Sequence, residues 1–284
     1  MPSLKDIRNR ITSVKKTQKT TSAMKMVSAA KLRRAEDASK AANPYSAQLK
    51  RVVSSLSARF GEDDSPLFRT STGNRTGVIL LTSDRGLCGG FNTNLCRAVL
   101  QQLADSGVAD AQFVTVGRKG NDFIKRSPHT IVEHYGDTPP AEHPRVINEV
   151  VGLTMERFIA GELDRVLLAY SHFVSVLTQQ PTIETLFPIE PPPEAEETDE
   201  REVFFEPSPE QILDALLQKY VQNCIFTAWL DILAGEHAAR MTSMDSATKN
   251  AGEMIDNLQL YYNRSRQAAI TKELIEIISG SESL

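Results

Sequence analysis

The sequence predicts an α/β protein with a long α-helical coiled coil: antiparallel N- and C-terminal helices plus a Rossmann-like α/β domain between them. Three observations predict it. Residues 3–43 contain neither proline nor glycine, and their apolar or small residues recur at alternating steps of three and four. No proline follows Pro209, so one helix can run from there almost to the end of the chain. Between these stretches, strand-like and helix-like segments alternate, the pattern of a parallel sheet covered by helices. Two long helices at opposite ends of one chain pair most simply head to tail, with the middle segment as an insertion that brings the chain back.

Residues 1–59 form the N-terminal coiled-coil segment. Ser3 is placed to cap the helix, with Asp6 as its partner in a near relative of the capping box. The seam runs through Leu4, Ile7, Ile11, Val14, Gln18, Thr21, Lys25, Ser28, Leu32 and Ala35, apolar in its first half and polar in the middle. Pro44 is expected to kink or break the helix, which then resumes to about residue 59.

Residues 77–190 form the Rossmann-like domain. "GVILLTSD" (77–84) is a buried-strand run and "FNTNLCRAVLQQLADSG" (91–107) a helix closed by glycine. "QFVTVG" (112–117), "HTIVEHY" (129–135) and "DRVLLAYSHF" (164–173) are further strands. "RKGNDFIKR" is a short helix, "RVINEVVGLTMERFIAG" (145–161) an amphipathic one, and "VSVLTQQPTIETLFPI" adds a β ending. Residues 191–208 are an acidic, proline-rich connector.

Residues 209–284 form the C-terminal coiled-coil segment, with Ser208 as cap and Pro209 as first helical residue. A helix over 209–279 would be roughly 105 Å long at 1.5 Å per residue. Its seam is traced through Ala247, Ala251, Met254, Leu258, Tyr261, Ser265 and Ala268, whose small members permit close approach of a second helix. Gly235 and Gly252 weaken it locally, by about 1 kcal/mol each. The N-terminal half-seam is expected beside the C-terminal tip. In that tip, "RQAAITKELIEIISG", Ile270, Leu274, Ile275, Ile277 and Ile278 spread over roughly 160° of a helical wheel. Two paired helices need a narrower seam, so this arc requires a cover from outside the pair.

Composition narrows the functional classes. The 284 residues are 40% hydrophobic and 24% charged, as in ordinary soluble proteins. No run is long and apolar enough to span a bilayer, and the basic N-terminus lacks a signal core. Cys88, Cys96 and Cys224 make no CxxC pair, and the five histidines lack metal-ligand spacing, so no metal and no cofactor are expected. The net charge of −4 hides an asymmetry: ten Lys/Arg against one acid in residues 1–34, and nine Asp/Glu against one base in 190–210. The basic helix has no aromatic stacking residues, which argues against nucleic acid as partner. "SDRGLCGGFN" (83–92) joins a strand to a helix, where backbone N–H groups can hold phosphate. It has neither a P-loop lysine nor GxGxxG spacing. No nucleophile elbow, HExxH or paired-carboxylate site is present, so no catalytic residue is assigned. A Rossmann-like nucleotide-binding enzyme, oligomerised through its long helices, stays open as the alternative.

The terminal motifs are more specific. "LKDIRNRITSVKKTQKTTSAMKMVSAAKLRRAEDA", "TSDRGLCGGFNTNL" and "YYNRSRQAAITKELIEIISG", in that order, resemble the γ subunit of the F-type ATP synthase over practically the whole chain. The resemblance implies a central rotor shaft without a catalytic site of its own. Its two terminal helices would run up the middle of a hexameric head of α and β subunits. The α/β domain would be a foot on the membrane ring of c subunits, beside the ε subunit. Ion flow would turn the ring and shaft, and the turning shaft would drive the β catalytic sites through their states. The protein would be membrane-associated through the c ring only, peripheral on the cytoplasmic face of the plasma membrane. Position by position, Met24, Arg266, Gln267, Thr271 and Glu273 match family positions at the β-subunit interface. Phe204, Phe205, Glu206 and Pro207 match the loop of the foot near the c ring. The foot insertion with a regulatory cysteine pair, found in photosynthetic relatives, has no counterpart here, so thiol control of rotation is not expected.

Overall fold

The computed structural model describes residues 3–57, 60, 64–71, 73–189 and 209–282. Within its helices it does not describe the side chains of 54–57, 209–212, 273, 276 and 279–282. The chain divides into two compact units, one of residues 1–29 with 240–284 and one of residues 30–239. Helix α1 spans Leu4–Ser57 and helix α5 spans Pro209–Glu282, and each contributes to both units.

The start of α1 is built as its sequence predicts. The Ser3 backbone N–H and hydroxyl both donate to Asp6 Oδ2, and the Asp6 N–H donates back to Ser3 Oγ at 3.2 Å. These bonds hold the Asp6 carboxyl below the usual carboxylate range. Pro44 lies inside α1 without ending it, so of the expected kink or break the break does not occur. Five and nine residues further on, Leu49 and Val53 are buried in the core of the second unit, and tertiary burial of this kind outweighs a lost backbone hydrogen bond.

The second unit is a doubly wound α/β layer structure. Strands β1 (Thr76–Leu81), β2 (Gln112–Val116), β3 (Thr130–Tyr135), β4 (Arg165–Phe173) and β5 (Gln179–Phe187) form one sheet in the order β3-β2-β1-β4-β5. β1 pairs in parallel with β2 and β4, β2 with β3, and β5 closes the edge antiparallel to β4. Side chains alternate between faces, as the strand period requires. Val78, Leu80, Phe113, Leu167 and Ala169 meet α2 (Phe91–Asp105) and α3 (Arg118–Ile124) on one face. Ile79, Leu81, Val114, Val116, Val166 and Leu168 face the other way. There they meet α4 (His143–Ile159) and the first half of α5, through Leu217, Val221, Ile225 and Ile232.

Both sheet edges are blunted against further strand pairing. The register of β3 slips at Val132, and β5 carries Pro181. Gly235, read from sequence as a weak point, is a packing requirement: a Cβ there would sit 2.8 Å from the Phe91 ring.

At the amino end of the sheet Asp164 organises the entry to β1. Its side chain is only 3% exposed. It accepts hydrogen bonds from Arg75 Nε (2.9 Å), Arg75 Nη2 (2.8 Å), the Arg75 backbone N–H (2.8 Å) and Ser71 Oγ (2.7 Å). The Arg75 guanidinium, and then the Ser71 hydroxyl, hold this carboxyl far below the ordinary aspartate range. A depressed folded-state pKa adds stability above the unfolded value, and that stability disappears as pH falls towards the folded value. Asp164→Asn is therefore expected to lower the thermal midpoint at pH 7. Below about pH 4, where the unfolded carboxyl protonates, the gap between wild type and variant should narrow. Melting curves by circular dichroism across this range test it; a gap that is constant with pH would contradict it.

Candidate functional site

The first unit is the antiparallel helix pair, and its geometry follows from three contacts. Thr21 Oγ1 lies 2.7 Å from Thr248 Oγ1. Lys25 Nζ donates to Asp245 Oδ1 at 2.6 Å. A Cβ added at Gly252 would meet Gln18 Nε2 at 3.2 Å. Each step forward along α1 is matched by an equal step backward along α5. Thus α1 residues Gln18, Thr21 and Lys25 face Gly252, Thr248 and Asp245 in turn.

On α1 the positions Leu4, Ile7, Ile11, Val14, Gln18, Thr21, Ser28, Leu32 and Ala35 are buried or half-buried, the stripe the heptad reading predicts, with Ser22 and Met24 half-buried beside it. Lys25 is the exception: it is exposed and reaches across to Asp245. On α5 the stripe is rotated from the predicted one. Met244, Thr248, Ala251, Ile255, Leu258, Tyr262, Ser265 and Ala269 are buried or half-buried. Ile255 is 7% exposed, whereas the expected seam residue Met254 is 47% exposed, and Tyr261 and Ala268 are exposed as well. Ala247 of the predicted seam is half-buried too; Ala251, Leu258 and Ser265 belong to both phases, which differ in the neighbours that complete the stripe. Both read as apolar in sequence, and only the facing helix chooses between them.

Asp245 sits between Lys249, 2.8 Å away on the next turn of α5, and Lys25 from α1. These two ammonium groups, Lys249 first, lower its carboxyl to about 2. Sequence reasoning missed this triad and the Thr21–Thr248 pair. The available signal was the run of polar residues in the middle of an otherwise apolar seam.

Carried to the start of α1, the same register sets Leu4 opposite the stretch around Ser265. The helix α5 beyond that point runs past the described start of α1. The N-terminal half-seam therefore lies beside residues preceding the tip, not beside the tip itself. Within this overhang Ile270, Leu274, Ile275, Ile277 and Ile278 are 50–68% exposed. The apolar arc foreseen in the sequence is thus left uncovered by the chain's own fold.

The residues singled out from sequence are distributed as follows. Met24 is half-buried on α1, and Arg266, Gln267 and Thr271 are exposed on α5. Thr271 Oγ1 donates to the Gln267 carbonyl at 2.9 Å. The Glu273 side chain and the loop Phe204, Phe205, Glu206 and Pro207 lie outside the described residues.

In the second unit the turn 83–92 is tied internally. Asn92 bonds the Ser83 N–H (3.0 Å) and hydroxyl, and Asp84 Oδ1 accepts from the N–H groups of Arg118 (2.9 Å) and Asp137 (3.0 Å). Doubly wound enzymes bind ligands at the carboxyl ends of the strands. Here the ends of β1 and β2 form a small cleft walled by Trp229, Ile232, Leu233 and Glu236 of α5. The Trp229 ring packs on His143 with centroids 4.4 Å apart. Among the described residues no group of three or more His, Cys, Asp or Glu could hold a metal ion, and no helix is long and apolar enough to cross a membrane.

Comparison with known proteins agrees with this architecture. Residues 3–284 match the family described as ATP synthase. The chain is 45% identical over 284 residues to the ATP synthase gamma chain of Pelotomaculum thermopropionicum, covering 100% of both. It is 46% identical over 286 residues to that of Geotalea uraniireducens, covering 100% of this chain and 99% of the other. Among solved structures, it resembles a chain of the Euglena gracilis mitochondrial ATP synthase rotor, with a TM-score of 0.67 at 16% identity over 94% of this chain and 98% of that one. A chain of the Tetrahymena thermophila mitochondrial ATP synthase central stalk and c-ring gives 0.62 at 21% identity, over 80% and 99%.

The observed seam makes a sharp distinction between neighbours. Ile255→Asp puts an unpaired carboxylate into the helix interface and should cost roughly 3 kcal/mol or more. Met254→Asp, one position away, should stay within about 0.5 kcal/mol of wild type. Thermal unfolding with limited tryptic digestion of residues 5–25 reads the difference; the reverse ranking would restore the rejected phase.

Proposed function

The chain belongs to the ATP synthase gamma chain family, and from that membership we infer that it is the central shaft of a rotary ATP synthase. It couples rotation of a membrane ring to ATP synthesis in the catalytic head. One observation carries the mechanical part of this reading. The antiparallel pair ends in a single helix with five Ile and Leu side chains at least half exposed. An apolar arc of that size needs a protein sleeve, and a sleeve that grips by apolar contact lets the helix turn, because such contacts are non-directional.

Coupling then follows from asymmetry. A rod of two unlike helices presents a different face at each angle: basic where α1 faces outward, apolar at the tip. A catalytic subunit that meets one face binds nucleotide differently from one that meets another, and differential contact is the only way a partner shifts a conformational equilibrium. The shaft does no chemistry. Nucleotide belongs to the head.

In this reading Met24, Arg266, Gln267, Thr271 and Glu273 contact the β subunits. The exposure of Arg266, Gln267 and Thr271 supports that assignment. Phe204, Phe205, Glu206 and Pro207 contact the c ring, the second unit is the foot, and ε binds beside it. The protein is peripheral on the cytoplasmic face of the membrane and is held there by the ring.

A tag on this chain tests the reading through what purifies with it. The α, β, ε and c chains should come in fixed ratio. A complex carrying Met24→Lys should contain the same chains, yet move fewer ions per ATP hydrolysed, because the added charge meets a β-subunit surface. Recovery without α and β, or tight nucleotide binding with turnover by the isolated chain, would favour an enzyme of its own.

A further inference from the structure

We propose that the Thr21–Thr248 hydroxyl pair, with the Lys25–Asp245–Lys249 triad beside it, fixes the axial register of the two shaft helices so that they transmit torque without slipping. The proposal rests on the shaft reading and adds the residues that keep the shaft a rigid body.

The argument begins from what the seam lacks. Around this point α1 contributes Gln18, Thr21 and Ser28, and α5 contributes Thr248 and Ala251. Large apolar knobs set the register of ordinary coiled coils. Small and polar residues bury little apolar area, so in this stretch burial separates one register from the next only weakly. Polar groups that find a partner in only one alignment then decide the register.

Proton counting shows how the pair is wired. Each threonine hydroxyl has one proton. Thr248 Oγ1 lies 2.7 Å from the Met244 carbonyl, Thr21 Oγ1 lies 3.0 Å from the Gln18 carbonyl, and the hydroxyls lie 2.7 Å apart. The two shorter contacts fit one chain: Thr21 donates to Thr248, and Thr248 donates to the Met244 carbonyl. A hydroxyl of α1 is thereby linked to the backbone of α5 inside a seam where Thr21 is 8% exposed. Flanking it, the Lys25 ammonium donates to Asp245 at 2.6 Å across the pair. At Gly252 the missing side chain leaves room for the Gln18 amide, which a Cβ would meet at 3.2 Å. Three features of unlike chemistry, within two turns of each other, specify one register.

A slide moves Thr21 opposite Met244 or Ala251, neither of which offers a hydroxyl, and takes Lys25 away from Asp245. An axle loaded at both ends experiences that slide as lost motion: the foot turns while the tip lags.

The test uses the assembled complex with Thr21→Val/Thr248→Val. Replacing both partners by apolar side chains of like shape leaves no unsatisfied group, so the pair should fold. Nitroxide amino acids at the exposed positions Thr12 and Glu253 report the alignment. The unmodified seam should give one narrow distance. The valine pair should populate a second, resolved distance, displaced by less than the slide of about 5 Å that one helical turn represents, because the labels are also separated across the pair. Its population should rise roughly three- to tenfold, the change one lost hydrogen bond supplies, with fewer ions moved per ATP. Thr21→Ser/Thr248→Ser keeps the hydroxyls and should behave as wild type. A single unshifted distance in the valine pair, or the same second population in the serine pair, would overturn the proposal. Failure of the shaft reading would appear differently, as absence of head and ring chains from the wild-type complex.

Discussion

Burial of one stripe of α1 against one stripe of α5, with the helices running in opposite directions, ties the ends of the chain together. Residues 1–34 are too basic to be stable alone as a helix: ten positive charges stand against a single acid, and like charges a turn apart repel. Ile7, Leu32 and Ala35 are buried only because a second helix is there to cover them. α5 likewise buries different faces along its length. Leu217, Val221, Ile225 and Ile232 enter the core of the α/β unit, while Met244, Ala251 and Ile255 enter the helix pair. The helix has almost no net amphipathic direction as a whole because each part serves a different neighbour.

In the α/β unit, the crevice where doubly wound folds bind ligands is walled by one of the chain's own long helices. Its sheet has the doubly wound order, with the reversal of direction between β1 and β4. Trp229, Ile232 and Leu233 of α5 wall the crevice at the carboxyl ends of β1 and β2, and the loops there satisfy one another through Asp84 and Asn92. What the fold supplies is a core that buries the first part of α5 through Leu217, Val221, Ile225 and Ile232. Function resides in which side chains line a site, not in the topology.

Much of this was legible in the sequence, for physical reasons. The strands β1, β2 and β4 are covered on both faces, so each appears as a nearly continuous apolar run, found to within one residue for β2 and β4 and within three for β1. The seam of α1 is legible because its surroundings are charged. The seam of α5 is not, because Met254 and Tyr261 compete with Ile255 and Tyr262 on hydrophobicity alone, and only the partner helix breaks the tie. Pro44 was overweighted for a related reason: local propensity is read directly, whereas the burial of Leu49 and Val53 that overrides it is not. Thr21 and Lys25 stand in the sequence only as polar members of the α1 seam, and Asp245 and Thr248 belong to no quoted motif. Their significance depends on a register between residues more than two hundred positions apart. The exposed tip, by contrast, was visible as an apolar arc wider than its own pair could use, and its exposure matches.

The central claim is that this chain turns inside a head it does not catalyse for. The direct measurement fixes the head of the purified complex to a surface, attaches a gold bead to an exposed side chain of this chain's α/β unit, and follows the bead by dark-field microscopy as ATP is added. The account predicts rotation in one direction, with three evenly spaced dwells per turn, one for each catalytic subunit. A bead that stays still while the same complexes hydrolyse ATP would contradict it.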